Sequence, residues 1–485
     1  MDEEARPLRC AVIGAGMAGI LSAVKLAESG LTDLTVYEKA DGVGGTWREN
    51  TYPGLSCDVP SHLYSYSFAL SPGWSHRFAP GAEIEAYFER VAEAHGVIEQ
   101  TRFGDAVVRC ERLDGRWHLT TASGHHDEVD VVIAATGVLH HPKYPEIDGL
   151  DTFAGAMFHS ARWDHAVELD GARVGMIGTG STATQITSAI VERVAKLELF
   201  QRTAQWVMPQ ENPAYSSDEQ AAFREEPERL ASLHQTLSDM FDVFSNAVVD
   251  TESAELRMIE QACLDNLETN VHDAELRERL RPTYRAACKR LIISPDFYEA
   301  IQQPNAELVT EAIAGIEPGG VRTRDGRLHE LDVLVLATGF KADAFMRPME
   351  IIGREGLTLE QAWDPRPEAY LSISIPGFPN LFLLNGPNGP VGNFSLIEVA
   401  EIQLRYTMQL IDQIRSGACR EVCATPEALA TFERAREQAA QHTVWVTGCH
   451  SWYLDDRGLP AVWPWSFKRF RAEMAAPDLT AFELT

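Results

Sequence analysis

The sequence predicts an α/β fold made of two Rossmann-like dinucleotide-binding domains, with a helical insertion in the second. Three observations carry this. Two glycine-rich turns, Gly14-Ala15-Gly16-Met17-Ala18-Gly19 and Gly178-Thr179-Gly180-Ser181-Thr182-Ala183, each stand between an apolar strand and a helical pattern. Each is followed downstream by an Asp-Gly hairpin signal, Asp114-Gly115 and Asp325-Gly326. Each unit then closes in an apolar strand ending Ala-Thr-Gly, at Gly137 and at Gly339. A chance glycine turn does not recur with its hairpin and closing strand in the same order.

In the first unit, Leu8 to Ile13 is a buried strand, Ile20 to Ser29 a helix, and Leu34 to Glu38 a strand ending in a carboxylate. Gly14, Gly16 and Gly19 permit the tight turn and close backbone approach, and the helix N-terminus faces a pyrophosphate. Glu38 accepts hydrogen bonds from a ribose and repels a 2′-phosphate, so this site takes FAD or NAD rather than NADP. Gly42 to Trp47 follows as a second glycine-rich loop, which suits the longer FAD, with Gly44, Gly45, Thr46 and Trp47 as its contacts.

In the second unit, residues 174–177 enter the turn at Gly178, Gly180, Ser181, Thr182 and Ala183, where alanine still permits close helix packing. The next strand, from Leu197, ends in Gln201-Arg202-Thr203 rather than in an acid. An arginine at that place accommodates a 2′-phosphate and selects NADPH. Val108, on the first hairpin, and Gln185, on the second helix, complete the expected cofactor set with Arg202 and Thr203.

Ser216 to about Cys288 is dense in Glu, Leu, Ala and Arg and predicts an inserted helical subdomain, ending in Cys288-Lys289-Arg290-Leu291 with two adjacent cations. After Gly339 the chain is expected to return to the first domain, through a strand at Leu381 and a helix from Phe394 to Ile414 whose N-terminus suits a negatively charged reduced flavin. Trp445, Trp452, Tyr453, Trp463 and Trp465 read as core, with a cavity lining as the sharper alternative. The expected division is 1–142 and 336–485 for the FAD-binding domain and 143–335 for the NADPH-binding domain, with the helical subdomain at about 210–290.

A length of 485 residues requires more than one core. The formal charge of -29 argues against a nucleic-acid or anionic membrane partner. Met1-Asp2-Glu3-Glu4 lacks the pattern of a signal peptide, and no apolar run is long enough to span a bilayer. The eight cysteines are scattered and read as reduced thiols of a cytoplasmic protein; only Cys419 and Cys423 lie close, without the partners of a metal site.

Between the two units, Phe153, Gly155, His159, Trp163 and Asp164 match the pattern Phe-x-Gly-x-x-x-His-x-x-x-Trp-Pro/Asp. On this stretch and the two glycine loops the sequence resembles the class B flavoprotein monooxygenases, and among them the Baeyer–Villiger monooxygenases, from Leu8 to about Phe470. Cys449-His450-Ser451-Trp452-Tyr453 with Trp463-Pro464 is similar to acetophenone-type members. The resemblance implies FAD and NADPH as cofactors, O2 and a small-molecule ketone as reactants, and an ester or lactone as product through a C4a-peroxyflavin. It assigns catalysis to Arg290, orientation of Arg290 to Asp58, a flavin contact to Tyr64 and the NADPH 2′-phosphate to Lys289. His159 and Trp163 are assigned to positioning and domain movement, in a linker that couples the two domains. A heteroatom oxygenase of the same fold is the alternative, although such relatives usually carry tyrosine where Trp163 stands. A non-catalytic flavoprotein would need an interaction module, and the sequence offers none.

Overall fold

The computed structural model describes residues 7–392 and 394–485; the acidic stretch Met1 to Glu4 lies outside them. Two five-stranded sheets, both parallel throughout, organise the chain. The first runs Leu381–Leu383, Val131–Ala134, Cys10–Ile13, Leu34–Tyr37, Thr101–Arg102. The second runs Ala306–Val309, Lys196–Phe200, Arg173–Ile177, Val333–Leu336, Ala156–His159. Their central strands are buried along their whole length, because helices and loops cover both faces of a parallel sheet.

Why both units close in Ala-Thr-Gly is visible at the first glycine of each turn. Gly14 (φ 104°) and Gly178 (φ 123°) occupy left-handed backbone, and a Cβ there would stand 2.5 Å from the Ala135 carbonyl oxygen and 2.2 Å from that of Ala337. The turn therefore crosses directly over the end of the closing strand. Helices Met17–Glu28 and Ser181–Ile190 start from these turns. The predicted hairpins are present: Val107–Leu113 pairs with Arg116–Thr121 around Asp114 and Gly115, both at positive φ as a type I′ turn requires, and Gly320–Thr323 pairs with Leu328–Glu330. The segment after Gly339 pairs Glu350–Ile352 with the first hairpin and Leu381–Leu383 with the first sheet. Helix Leu396–Arg415 buries Ile397, Val399, Leu404 and Leu410 in the same core as Val12 and Ile20.

Helices Ser217–Glu225, Pro227–Val249, Ala254–Asn270 and Ala274–Arg279 lie between two short strands, Val207–Met208 and Ile292–Ile293, that pair in parallel. Ser216 opens the first of these with a reciprocal capping box to Glu219. Among the described residues no helix is long and apolar enough to cross a membrane.

Two expectations need correction. The 153–164 stretch is not simply a linker: Ala156–His159 is the edge strand of the second sheet, in register with Val333–Leu336. Gly155 makes that possible, since a Cβ there would lie 2.4 Å from the Asp332 carbonyl oxygen. Nor are all eight cysteines reduced thiols. Cys288 and Cys449, 161 residues apart, are joined in a disulfide with a Cα separation of 6.2 Å, and the other six are free and buried. Sequence spacing cannot reveal a pair made by tertiary proximity.

His62 gives the fold an acid-sensitive point. Its ring is buried against Tyr215 and Phe223, at centroid distances of 5.0 and 4.7 Å, and neither ring nitrogen has a hydrogen-bond partner among the described residues. Burial, and secondarily the nearby His234, lower its pKa to about 4. The unfolded chain binds this proton below about pH 6.5 and the folded chain only near 4, so stability is held above 6.5 and lost as pH falls between these values. At pH 5 the loss from this group is about 2 kcal/mol. Thermal midpoints measured at pH 7 and pH 5 are expected to fall less in His62→Phe than in the wild type; equal falls would show that this group does not contribute.

Candidate active site

Glu38 closes the strand Leu34–Tyr37 and turns back under the first glycine loop, where its carboxylate accepts from Ala15 N at 2.7 Å and Ala40 N at 2.9 Å. The second glycine-rich loop docks on the first. Gly44 N donates to Ala15 O at 3.1 Å, and a Cβ on Gly45 would stand 2.8 Å from Gly16 Cα. Two glycine loops in backbone contact leave a cradle that a pyrophosphate can enter and side chains would fill, so these residues fit FAD. Thr46 opens the short helix Thr46–Glu49, and Trp47 Nε1 donates to the Tyr64 hydroxyl at 3.0 Å. Gly19 faces inward at the helix start, where a Cβ would stand 1.8 Å from Gly14 O. Val108 sits at the register shift of the first hairpin and is 43% exposed.

At the second loop, among the described residues, a Cβ on Gly180 would meet nothing within 4 Å and the buried Ser181 Oγ has no partner, which leaves room and a hydrogen-bonding group for a ligand. Ala183 is fully buried in the helix–sheet core. Thr203 O accepts from Thr179 Oγ1 at 3.2 Å. Arg202 is exposed, and among the described residues neither it nor Lys289 forms an ion pair with a carboxylate. Burial, and then the charge of Arg202, lower the Lys289 pKa, so the two cations lie close enough to repel. Two adjacent uncompensated cations fit the 2′-phosphate of NADP.

Gln185 and Thr182, expected at the cofactor, face the loop that carries Asp58. The Tyr52 hydroxyl donates to Gln185 Oε1 at 2.9 Å, Thr182 Oγ1 donates to the Tyr52 hydroxyl at 3.4 Å, and Gln185 Nε2 donates to Ser56 O at 3.0 Å. A Cβ on Gly54 would stand 2.6 Å from Gln185 O, so only glycine lets this loop lie against the second helix. The helix of the second unit thus holds the 52–58 loop.

That loop delivers Asp58 to Arg290, 232 residues away. Arg290 Nε donates to Asp58 Oδ2 at 3.0 Å, Nη2 donates to both carboxylate oxygens at 2.6 Å, and Nη1 donates to Gly392 O at 3.2 Å. Burial opposes the guanidinium charge, but Asp58, with the Tyr453 phenol beside it, outweighs burial and raises its pKa further. This group stays charged at any working pH.

The pair stands in the wall of a cavity of about 180 Å³. Leu237, Met240, Phe241, Phe244 and Val248 line it from one helix, Ile293, Phe394 and Trp445 from elsewhere, and Arg77, Gln210 and Lys289 add polar groups. The helix stripe was missed in the sequence. In the fold this helix leaves apolar residues partly exposed, Met240, Val243 and Phe244 at 44, 52 and 40%. Of the C-terminal aromatics, Trp445 and Tyr453 line the cavity, Trp463 is core, and Trp452 is 42% exposed.

The fingerprint residues are not in this wall. His159 Nδ1 accepts from Ala161 N at 3.1 Å, so Nε2 carries the hydrogen and donates to Gly339 O at 3.0 Å. Burial lowers its pKa and keeps it neutral in this tautomer. Phe153 packs over Gly155, Trp163 stands edge-on to Phe158 at 4.9 Å, and Asp164 Oδ1 accepts from Ala166 N at 2.9 Å. Glu198, Glu307 and His329 also converge, but Lys196 and Arg327 already meet the two carboxylates there.

Two glycine-turn cradles, with a fixed guanidinium in the wall of a largely apolar cavity, fit a flavin- and NADP-dependent oxidoreductase. The flavin-binding monooxygenase-like family model matches residues 8–239. A Baeyer-Villiger monooxygenase of Streptomyces coelicolor is 39% identical over 98% of this chain and 92% of its own length. An uncharacterized monooxygenase of Mycobacterium tuberculosis is 46% identical over 96% of this chain and 94% of its own. The crystal structure of cyclohexanone monooxygenase from Rhodococcus sp. Phi1 bound to NADP+ superposes with a TM-score of 0.88 at 29% identity, covering 99% of both chains. The chain belongs to the Baeyer–Villiger monooxygenase family of class B flavoprotein monooxygenases. Its cofactors are FAD and NADP.

Proposed function

We propose that this enzyme uses NADPH and O2 to insert one oxygen beside the carbonyl of a ketone, giving an ester or lactone. The observation that carries the reading is the Arg290–Asp58 pair in the wall of a largely apolar cavity. NADPH and FAD supply the electrons and the activation of O2.

The chain's own residues do the rest. Gly14, Gly16, Gly19, Glu38, Gly44, Gly45, Thr46, Trp47 and Tyr64 hold the flavin, while Gly178, Gly180, Ser181, Arg202 and Lys289 hold NADPH. A carbonyl carbon is electrophilic, so the oxygen that attacks it must carry negative charge. Arg290 faces that charge with a cation that does not give up its proton, and Asp58 fixes its orientation through Nε and Nη2. Beyond Asp58 and Gly392 O, the guanidinium is also hydrogen-bonded to the Tyr453 phenol, which lines the same cavity. The apolar walls lower the local dielectric around the guanidinium, which strengthens its interaction with the charge on the attacking oxygen.

Incubation with NADPH, an arylalkyl ketone panel and a cyclic ketone panel tests the reading by product analysis. Ester or lactone is expected from at least one class. NADPH use that yields only hydrogen peroxide with every ketone would overturn it.

A further inference from the structure

The residues flanking the disulfide belong to the cavity. Cys288 immediately precedes Lys289 and Arg290, and Cys449 lies between Trp445 and Tyr453; all four flanking residues line the wall. Both cysteines are buried in one apolar cluster with Trp206, Trp445 and Tyr453. The covalent bond therefore joins the segment carrying the proposed catalytic cation to the C-terminal segment that contributes Trp445 and Tyr453 to the same wall.

The Arg290 segment needs an outside restraint. After helix Ala274–Arg279 it has no regular structure until the two-residue strand Ile292–Ile293, and its backbone is held by scattered bonds: Trp206 Nε1 to Tyr284 O at 2.7 Å, Ala286 N to Glu260 Oε1 at 3.2 Å, Cys288 N to Arg285 O at 3.3 Å and Ile292 N to Trp206 O at 3.0 Å. Ala287, next to the disulfide, sits at φ 60°, a left-handed conformation that a residue with a Cβ disfavours and that persists only when its surroundings impose it. On the other side, Tyr453 is packed so that a Cβ on Gly392 would stand 2.2 Å from its hydroxyl, and Gly392 O accepts from Arg290 Nη1. The position of the guanidinium thus depends on Asp58, Gly392, the Tyr453 phenol and the frame that the disulfide closes.

We infer that the Cys288–Cys449 disulfide is a positioning element for Arg290, so that conversion of NADPH oxidation into oxygenated product depends on the oxidised pair. The inference rests on the catalytic reading of Arg290. Reduction by a dithiol breaks the S–S bond and gives two thiols, with two electrons and two protons coming from the dithiol, which leaves as its cyclic disulfide. Freed from Cys449, the 286–291 segment can relax Ala287, and a displacement of about 1 Å is enough to cost on the order of a hundredfold in an oriented reaction.

The experiment compares FAD-loaded wild type, wild type reduced with dithiothreitol and then reoxidised with glutathione disulfide, Cys449→Ser and Arg290→Ala. The readouts are ketone product per NADPH consumed, FAD content, thermal midpoint and intact mass with thiol alkylation. Reduction and Cys449→Ser are each expected to lower product per NADPH about tenfold or more, with FAD content retained. Reoxidation restores the wild type and leaves Cys449→Ser unchanged. A merely structural bond would lower FAD content, NADPH use and product together and leave their ratio intact. The proposal is overturned if both cysteines alkylate in the oxidised wild type, or if the ratio is unchanged in both reduced wild type and Cys449→Ser. Loss of ketone product in Arg290→Ala with an unchanged ratio on reduction sinks the disulfide role alone, whereas ketone product in Arg290→Ala sinks the reading of Arg290.

Discussion

Arg290→Ala is expected to abolish ketone oxygenation while NADPH oxidation and sulfide oxygenation persist. A ketone is attacked by a nucleophilic, negatively charged oxygen, whereas a sulfide is itself the nucleophile and needs an electrophilic, protonated one. Removing the guanidinium withdraws stabilisation from the first reaction and not from the second. Loss of one such preorganised donor raises a barrier by about 3–4 kcal/mol, roughly two to three orders of magnitude in rate. The variant also leaves Asp58 with an uncompensated charge in the cavity wall, which further disfavours an anionic oxygen there. Arg290→Lys recovers little, because an ammonium cannot present the Nε and Nη2 pair that now grips Asp58 while also reaching Gly392 O. Ester and sulfoxide yields from one preparation decide the matter. Parallel loss of both activities would mean that Arg290 supports the fold or the flavin rather than the charge of the attacking oxygen.

How much of this was legible in the sequence follows from the range over which each feature is determined. The two nucleotide units could be read because their parts constrain one another locally: Gly14 must be glycine to cross Ala135 O, and Gly178 must be glycine to cross Ala337 O. A repeated steric requirement leaves a repeated string. The 156–159 strand was hidden because its four residues gain their strand character only from pairing with Val333–Leu336, nearly two hundred positions on. In isolation Phe158, His159 and Trp163 look like an aromatic loop.

The active-site pair was legible only in part. A carboxylate at 58 and a cation at 290 are ordinary residues on composition, and the family resemblance alone suggested that they meet. The cavity's helix stripe was less visible still, since Leu237, Phe241 and Val248 have the spacing of any amphipathic helix and nothing local says that they face a void. The disulfide lay beyond sequence reasoning altogether. Cys288 and Cys449 offer no spacing motif, and neither spacing nor compartment tells which loops meet.

The second large effect is expected at the nicotinamide cofactor. Arg202 and Lys289 stand close, with no carboxylate partner among the described residues, on opposite sides of the inserted helices in sequence, and burial together with the charge of Arg202 lowers the Lys289 pKa. A 2′-phosphate between them relieves that repulsion and gains two charge-assisted contacts of about 2 kcal/mol each, roughly thirtyfold apiece. Arg202→Ala combined with Lys289→Ala is therefore expected to raise the NADPH Kd by roughly a thousandfold and to leave the NADH Kd within a few-fold. Arg202→Glu goes further, because it installs in the second unit the acid that Glu38 provides in the first, and an acid there repels the phosphate while accepting from a ribose hydroxyl. Its preference is expected to invert toward NADH. Direct titration of the oxidised, FAD-loaded protein with NADP+ and NAD+ reads both constants without turnover. Equal weakening for the two nucleotides would place these cations on the pyrophosphate or the fold instead of the 2′-phosphate.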